Sequence, residues 1–312
     1  MVCNGWRPKP LMPISRRLMG VSRAVAATGI RAIFGYGANP AQLSVTNLVS
    51  SLGIVSTDTT GVGTAREQPA AASYGTNKAI FGYGYGAANL SITNLVSSSG
   101  VVSADTTGVG TIRSALAAAG YGTDKAIFGY GYGSARLSLT NKVSNIGVVS
   151  TDTTGVGTAR YNLAAASYGT DKAIFGYGFA TAVSSLTNKV SNTGVVSTDT
   201  TGVGTVRQGL AAAGYGTDKA IFGYGTGSTV SSMTNKVSNT GVVSTDTTGV
   251  GTARQSLAAA GYGTDKAIFG YGTAAGTNRS MTNKVSNTGV VSTDTTGFGT
   301  ARNGLAASSY GS

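Results

Sequence analysis

Short apolar runs, separated by glycine and small polar residues, recur along this chain at a fixed spacing. Each copy begins with KAIFGYG or RAIFGYG, and successive copies are 47 residues apart. The copies begin at Arg31, Lys78, Lys125, Lys172, Lys219 and Lys266, and the last copy has one additional residue in a loop. Because a unit this short buries its apolar face only against its neighbours, the period predicts a repeat architecture.

Within one copy, the apolar runs are bounded by Gly, Asn, Asp and Ser, which is typical of strands and hairpins. We expect four strands: strand a (LAAAGYG, 210–216), strand b (KAIFGYG, 219–225), strand c (TNKVSN, 234–239) and strand d (VVSTDT, 242–247). A tight turn with Gly241 at positive φ joins strands c and d. The connector TGVGTAR then crosses to the next strand a.

Four strands repeated six times predict an all-β fold, a six-bladed β-propeller over residues 31–312. The predicted repeats are 31–77, 78–124, 125–171, 172–218, 219–265 and 266–312. Strand a is mostly Ala and Gly, so we expect it to be the innermost strand. The last strand a, near the C-terminus, would complete the first blade. The alternative is an open β-solenoid, which would need polar caps at its ends.

The charge is unevenly distributed along the chain. The net charge is +12, and residues 1–30 contain five basic residues and no acidic one. We interpret residues 1–30 as a basic N-terminal arm that docks onto other proteins of an assembly; the alternative is a disordered tail. The proposed anchoring residues are Trp6, Arg7, Lys9, Arg16 and Arg17. Nucleic-acid binding is not favoured, because the arm has no platform of aromatic residues interleaved with these charges.

The composition argues against an enzyme. The chain has no histidine, and its single cysteine, Cys3, lies in the arm and excludes an intrachain disulfide. No carboxylate pair is unique to one copy, so we predict no catalytic residues, no cofactor and no metal site. No apolar stretch reaches the length of a membrane span, and no cleaved signal peptide is expected. One cysteine is compatible with assembly in a cytoplasm.

An arginine and an aspartate recur in every copy, eight residues apart. These residues could form a ring of ionic sites for an anionic ligand. Alternatively, they could form an Arg–carboxylate bond, within a blade or between blades, that fixes the crossing connector and is bidentate if buried. Their presence in every copy favours the structural role. The arginines are Arg66, Arg113, Arg160, Arg207, Arg254 and Arg302, and the aspartates are Asp58, Asp105, Asp152, Asp199, Asp246 and Asp294.

The copies differ mainly in two segments, the loop between strands b and c and the residues after the TAR arginine. In an up-and-down blade these two segments lie on one face, so we predict a binding face there. Neutral drift in exposed loops is the alternative. The aromatic and basic members of this predicted face are Tyr85, Arg136, Tyr161, Phe179 and Arg279.

The pattern R-x-x-L-A-A-A-x-Y-G-x-x-K-A-I-F-G-Y-G, followed by T-N-K-V-S-N, resembles the kelch repeat in all six copies. Gly-Tyr-Gly replaces the Gly-Gly pair of that family, and its late Trp is absent. The string GYG…TNKVSNTGVVSTDTTGVGTAR is similar to repeats of bacteriophage structural proteins and environmental bacterial proteins. The resemblance implies a non-enzymatic virion protein, tail- or capsid-associated and assembled in the host cytoplasm, that binds partner proteins or the host surface. The alternative is a lectin-like glycan-binding propeller, outside the bacterial cell or on its surface.

Overall fold

The computed structural model of the chain describes residues 1–2 and 29–311, and strands are its only regular elements there. The all-β prediction is therefore confirmed. The proposed anchoring residues Trp6, Arg7, Lys9, Arg16 and Arg17 lie outside the described residues. Among the residues that are described, no helix is long and apolar enough to cross a membrane.

Three kinds of strand recur, and they match the predicted strands a, b and c. The a strands are Ala70–Tyr74 (β3), Ala117–Tyr121 (β6), Ala164–Tyr168 (β9), Ala211–Tyr215 (β12), Ala258–Tyr262 (β15) and Ala306–Tyr310 (β20). The b strands are Arg31–Gly35 (β1), Lys78–Tyr85 (β4), Lys125–Gly129 (β7), Lys172–Gly176 (β10), Lys219–Gly223 (β13) and Lys266–Gly270 (β16). The c strands are Thr46–Val49 (β2), Asn89–Val96 (β5), Thr140–Val143 (β8), Thr187–Val190 (β11), Thr234–Val237 (β14) and Thr282–Val285 (β19).

The additional residue of the last copy lies in a small hairpin. Thr273–Ala274 (β17) and Thr277–Asn278 (β18) pair with each other between β16 and β19. This hairpin replaces the irregular loop that joins strands b and c in most other copies.

Each three-stranded antiparallel sheet has strand b at its centre. Its strand a comes from the end of one repeat, and its strands b and c come from the next repeat. We number these sheets by chain order of their b strands, from sheet 1 (β20, β1, β2) to sheet 6 (β15, β16, β19). In sheet 1, Arg31 pairs with Tyr310 and Gly35 with Ala306, the same register in which Lys125 pairs with Tyr121 in sheet 3.

The prediction of strand d is wrong, because this segment meets strand c only at single bridges. Val149 bridges to Val143 and Thr153 to Thr140. Between these bridges, the Lys142 amide donates to the Ser150 hydroxyl at 2.9 Å instead of to a backbone carbonyl. A side-chain acceptor thus interrupts the backbone ladder, and the same serine position does so in the other five copies. The turn between the two segments has Gly241 at φ 75°, as predicted.

The hydrophobic core is divided among the contacts between successive sheets. Between sheets 2 and 3, Ile80 and Tyr83 pack with Phe128 and Val143, and all four are fully buried. The Phe128 ring lies where a side chain on Gly82 would stand, because a Cβ there would be 2.7 Å from Cζ of the ring. A similar cluster joins sheet 6 to sheet 1 and contains Ile268, Tyr271 and Phe34.

Two sets of backbone hydrogen bonds connect consecutive sheets. The first set returns to its starting residue. The second returns to the turn in which it starts, and in sheet 1 Ile30 and Gly311 take the place of a turn. The first set lies just after the TAR arginines, where Gln68 N donates to Gly304 O. Every other member donates from its backbone N to the backbone O of the equivalent residue in the preceding copy, and all six distances are 2.6–3.0 Å. This first cycle consists of Gln68, Ala115, Asn162, Gly209, Ser256 and Gly304. In the second cycle, each a–b turn bonds to the next one at 2.7–2.8 Å, and its last bond runs from Gly311 N to Asn77 O.

We predict that sheet 1 folds equally well when its strand a is moved to the other end of the chain. In the permuted chain, residues 305–311 and a following Thr-Asp linker replace Ile30, so that the moved strand a precedes β1. The permuted chain ends at Gly304. Thr123 and Asp124 occupy the linker positions between β6 and β7. Because the pairing of β1 is retained, we expect the melting temperature to stay within about 5 °C of the natural chain.

The comparison for this permuted chain is the natural chain without residues 305–312. That deletion leaves one edge of β1 unpaired and opens the core around Phe34. We expect aggregation or a much lower melting temperature in a thermal scan. An unchanged melting temperature of the shortened chain would contradict the role assigned to β20.

Candidate functional site

A fully buried arginine lies between every two successive sheets. Between sheets 2 and 3, Arg113 donates from Nε to Tyr130 O at 2.9 Å and from Nη1 to Thr111 O at 3.0 Å. Its Nη2 donates to Asn141 Oδ1 at 2.6 Å. A buried guanidinium is stabilised only when its donors are paired, and these bonds join the connector to strands b and c.

An asparagine links each arginine to the aspartate that recurs in every copy. Asn141 Nδ2 donates to Asp152 Oδ1 at 2.9 Å and to Ser150 O at 3.0 Å. The other carboxylate oxygen, Oδ2, accepts from Thr111 N at 2.9 Å and from Thr111 Oγ1 at 2.6 Å. The aspartate therefore holds the connector of the preceding repeat against its own sheet.

An Arg–Asp ion pair joins neighbouring sheets, which is one of the two structural alternatives, but it is not the bidentate bond expected for a buried arginine. In five copies Nη1 lies 3.6–4.0 Å from the carboxylate, close enough for an ion pair, but the hydrogen bonds between the two groups pass through the asparagine amide. Each of these five arginines pairs with the aspartate of the following repeat and not with the aspartate eight residues before it. The last copy follows this rule, since Arg302 pairs with Asp58 at 3.9 Å.

The tyrosine of each GYG motif covers the face of the guanidinium. Arg113 Cζ lies 4.2 Å from the centre of the Tyr83 ring, and the Tyr83 hydroxyl donates to Val109 O at 3.0 Å. Cation–π contact adds to the stabilisation of a buried guanidinium. Tyr83 has φ 63°, a conformation that is rare for a large side chain. The equivalent tyrosines in all copies share it: Tyr36, Tyr130, Tyr177, Tyr224 and Tyr271.

Sequence reasoning missed this tyrosine and the asparagine. The asparagines are Asn47, Asn94, Asn141, Asn188, Asn235 and Asn283, all fully buried. An asparagine that recurs at the same position of strand c in every copy is the signal that could have identified them, because asparagine is uncommon in strands. The tyrosine gave no comparable signal, because an aromatic residue at the end of a strand is typical of a core position.

Burial and hydrogen bonding shift the pKa values in this network. Partial burial alone would raise the pKa of Asp152, but bonds donated by Thr111 and Asn141 and the charge of Arg113 lower that pKa below 3.8. The pKa values of the other five aspartates are lowered in the same way. Burial raises the pKa of Tyr83 to about 12.

The two variable segments lie side by side. The residue after each TAR arginine forms a single antiparallel bridge with the residue that follows the GYG motif, in the sheet that the connector leads into. The bridged pairs are Glu67 with Tyr85, Ser114 with Tyr132, Tyr161 with Phe179, Gln208 with Thr226, Gln255 with Thr273 and Asn303 with Ala38. We call these pairs and their loops the variable edge.

Three aromatic residues and one arginine meet on the variable edge of sheets 3 and 4. Tyr161 lies with its ring centre 5.4 Å from that of Tyr132 and 5.5 Å from that of Phe179. Arg136 Cζ lies 5.8 Å from the centre of the Phe179 ring. The structure thus brings together three of the five predicted residues of the binding face, and Tyr132 is a fourth member that sequence reasoning missed.

The other two residues of the predicted binding face lie apart from this cluster. Tyr85 is exposed and bridges to Glu67, and Arg279 is half-buried at the end of the b–c loop of sheet 6. Among residues 1–2 and 29–311, no group of three or more His, Cys, Asp or Glu side chains is placed to hold a metal ion.

No protein-family model matches this chain, and no curated protein matches it either.

We predict that Asn141→Ala lowers the free energy of unfolding by about 2–4 kcal/mol, because it leaves a buried guanidinium donor without a partner. Urea titration followed by circular dichroism measures this loss. Thr151→Ala, an exposed neighbour whose side chain lies outside the network, should change stability by less than about 0.5 kcal/mol. Equal losses in the two variants would show that the asparagine has no special role.

We also predict a plateau of stability between about pH 5 and pH 9. Lowered aspartate pKa values contribute stability that is complete above 3.8 and is lost as the pH falls through the folded-state pKa. Raised tyrosine pKa values contribute stability that is complete below 10 and is lost as the pH rises toward about 12.

Urea midpoints measured from pH 2 to pH 12 test this expectation. Asp152→Asn should make the acid limb less steep, because it removes one group with a lowered pKa. Asp124→Asn is the matched control. The bond donated by Lys125 lowers the pKa of Asp124 as well, but this pair is exposed and screened by solvent, so its removal should alter that limb less. A midpoint that stays constant down to pH 2 would be inconsistent with this account.

Proposed function

We propose that residues 31–312 form a six-bladed β-propeller that acts as a non-enzymatic binding platform. Each sheet would be one blade, with strand a innermost and β20 completing the first blade. Contacts between successive a strands, from β3 through β20 and back to β3, support this arrangement. The two hydrogen-bond cycles and the apolar cluster between sheets 6 and 1 support closure. Two isolated bridges between strand c and the segment predicted as strand d would provide a reduced outer edge to each blade.

The observation that carries the proposed role is the pairing of the two variable segments along one edge. The a–b turns, by contrast, are nearly the same in all copies, and four of them contain an adjacent Lys–Asp ion pair. Differences among copies are thus concentrated on one edge of a repeated frame, which is how binding sites are commonly arranged on rigid scaffolds.

The resemblance to bacteriophage repeat proteins extends this proposal to a setting. In our proposal the chain is a tail- or capsid-associated protein of a virion, its arm anchors it to other particle proteins, and its variable edge contacts a partner or the host surface. The repeated buried polar groups have a structural explanation in the network around Arg113 and Asn141, which supports a role without catalysis.

A lectin-like role remains the second candidate, and the cluster of Tyr132, Tyr161, Phe179 and Arg136 is the observation that favours it. Tyr132 is exposed, and Tyr161 and Phe179 are half-buried. Accessible aromatic rings beside a cation are suited to binding sugars or other small polar ligands. The cluster occurs in one sector only, since the bridged positions of sheets 5 and 6 are occupied by Gln and Thr. A glycan site would therefore be local and not repeated sixfold.

The anchoring role of the arm is tested by removing its charge. We expect the natural chain to sediment with assembled particles in a density gradient. A variant with four arm charges removed should remain in the soluble fractions, because its attraction to acidic partners is reduced. Its substitutions are Arg7→Gln, Lys9→Gln, Arg16→Gln and Arg17→Gln.

The matched control removes the same charge from the repeats, through Lys125→Gln, Lys172→Gln, Lys219→Gln and Lys266→Gln. These lysines are half-exposed and paired with neighbouring aspartates, so this variant should still sediment with particles. Absence of the natural chain from purified particles would refute the virion proposal.

A further inference from the structure

A cleft of about 350 Å³ lies beside the aromatic cluster on the variable edge. Its walls come from three connectors and one b–c loop, so four separate chain segments form it. Tyr132 is 43% exposed, and Arg136 is exposed as well. The lining also includes Gln68 and Asn162, whose side chains end in amides. The volume is in the range of small-ligand sites, about 300–1,000 Å³.

The charge of the cleft is positive and uncompensated. Arg136 is its only charged lining residue, and within the described part of the chain it has no carboxylate within 4.0 Å. The guanidinium lies on the Phe179 side of the cluster, with 5.8 Å between Cζ and the ring centre. An arginine in contact with an aromatic ring retains in-plane donors for a planar anion such as a carboxylate.

The six repeated sheets and their connectors form without these side chains. The positions equivalent to Tyr132 and Tyr161 contain small or polar residues in most other copies, such as Thr226 and Gln208 in sheet 5, where the same bridge forms. A large aromatic residue that is partly exposed loses the benefit of full burial. Here aromatic residues occupy three adjoining positions, Tyr132, Tyr161 and Phe179. Their arrangement beside the unpaired Arg136 therefore points to a ligand.

We propose that this cleft binds a pyranose sugar that carries a carboxylate. The C–H face of the ring would stack on Tyr132, Arg136 would bind the carboxylate through two hydrogen bonds, and the amides of Gln68 and Asn162 would pair with ring hydroxyls. An apolar peptide would leave Arg136 unpaired, and a neutral sugar would do the same. The inference rests on the proposed role of the variable edge as the contact surface.

Binding is tested with the full chain by saturation-transfer NMR and calorimetry. The probes are the methyl glycosides of glucuronic acid, galacturonic acid and N-acetylneuraminic acid, with methyl β-glucoside as the neutral counterpart. We expect at least one acidic glycoside to bind more tightly than the neutral one. Arg136→Gln and Tyr132→Ala should each weaken that binding by about tenfold or more, the effect of losing one charge-assisted hydrogen bond or one stacking contact.

Tyr85→Ala is the matched control, because Tyr85 is an exposed tyrosine of the same edge that does not line the cleft. This variant should bind the acidic glycoside as the natural chain does, and the melting temperatures of all three variants should stay close to that of the natural chain.

Three results would overturn the inference: no binding of any acidic glycoside, equal binding of the neutral glycoside, or an equal loss in Tyr85→Ala. None of these results would affect particle association, which the arm variants measure independently. Conversely, a chain that is absent from particles but binds an acidic glycoside through Arg136 would retain the sugar site and lose the virion role.

Discussion

The buried guanidinium between successive sheets is the interaction on which the rest of the structure depends. Arg113 bonds to its own connector, to the end of strand b and to an asparagine of strand c, and its face lies against a tyrosine of the preceding sheet. A charge in an apolar interface is costly unless its donors are paired. The sheets can therefore pack in only one register and spacing, the one that satisfies this group.

The same requirement explains why the connector has a regular shape in every copy. Thr111 and Asp152 hold the connector to the following sheet through two bonds, while Asn141 positions the carboxylate. Each repeat is thus fixed by its successor, and stability is distributed over equivalent interfaces as in other repeat proteins. The final arginine, Arg302, makes the equivalent bonds to residues of the first repeat, so the last interface is not an exception.

Strands a, b and c could be predicted from the sequence because their apolar runs end at Gly, Asn or Asp, which are reliable local signals. Strand d could not, because whether a serine hydroxyl or a backbone carbonyl accepts from Lys142 is decided by three-dimensional contact. The arginine and aspartate were recognised from their recurrence, but their connection through Asn141 depends on which sheets are neighbours. Likewise, the positive φ of Tyr83 is imposed by packing and is contrary to its local preference.

The buried network is the same in every copy, whereas the variable edge differs among copies. This difference also explains where a binding site can arise in this chain. A substitution at Asn141 or Tyr83 would disturb an interface, so copies can differ without loss of stability only where the side chains face solvent. The bridges of the variable edge involve backbone atoms, and they form with Tyr161 and Phe179 as well as with Gln208 and Thr226. Side chains there are free to change one copy at a time. A ligand site on such a protein should accordingly be confined to one or two neighbouring sheets, even though the frame is repeated throughout.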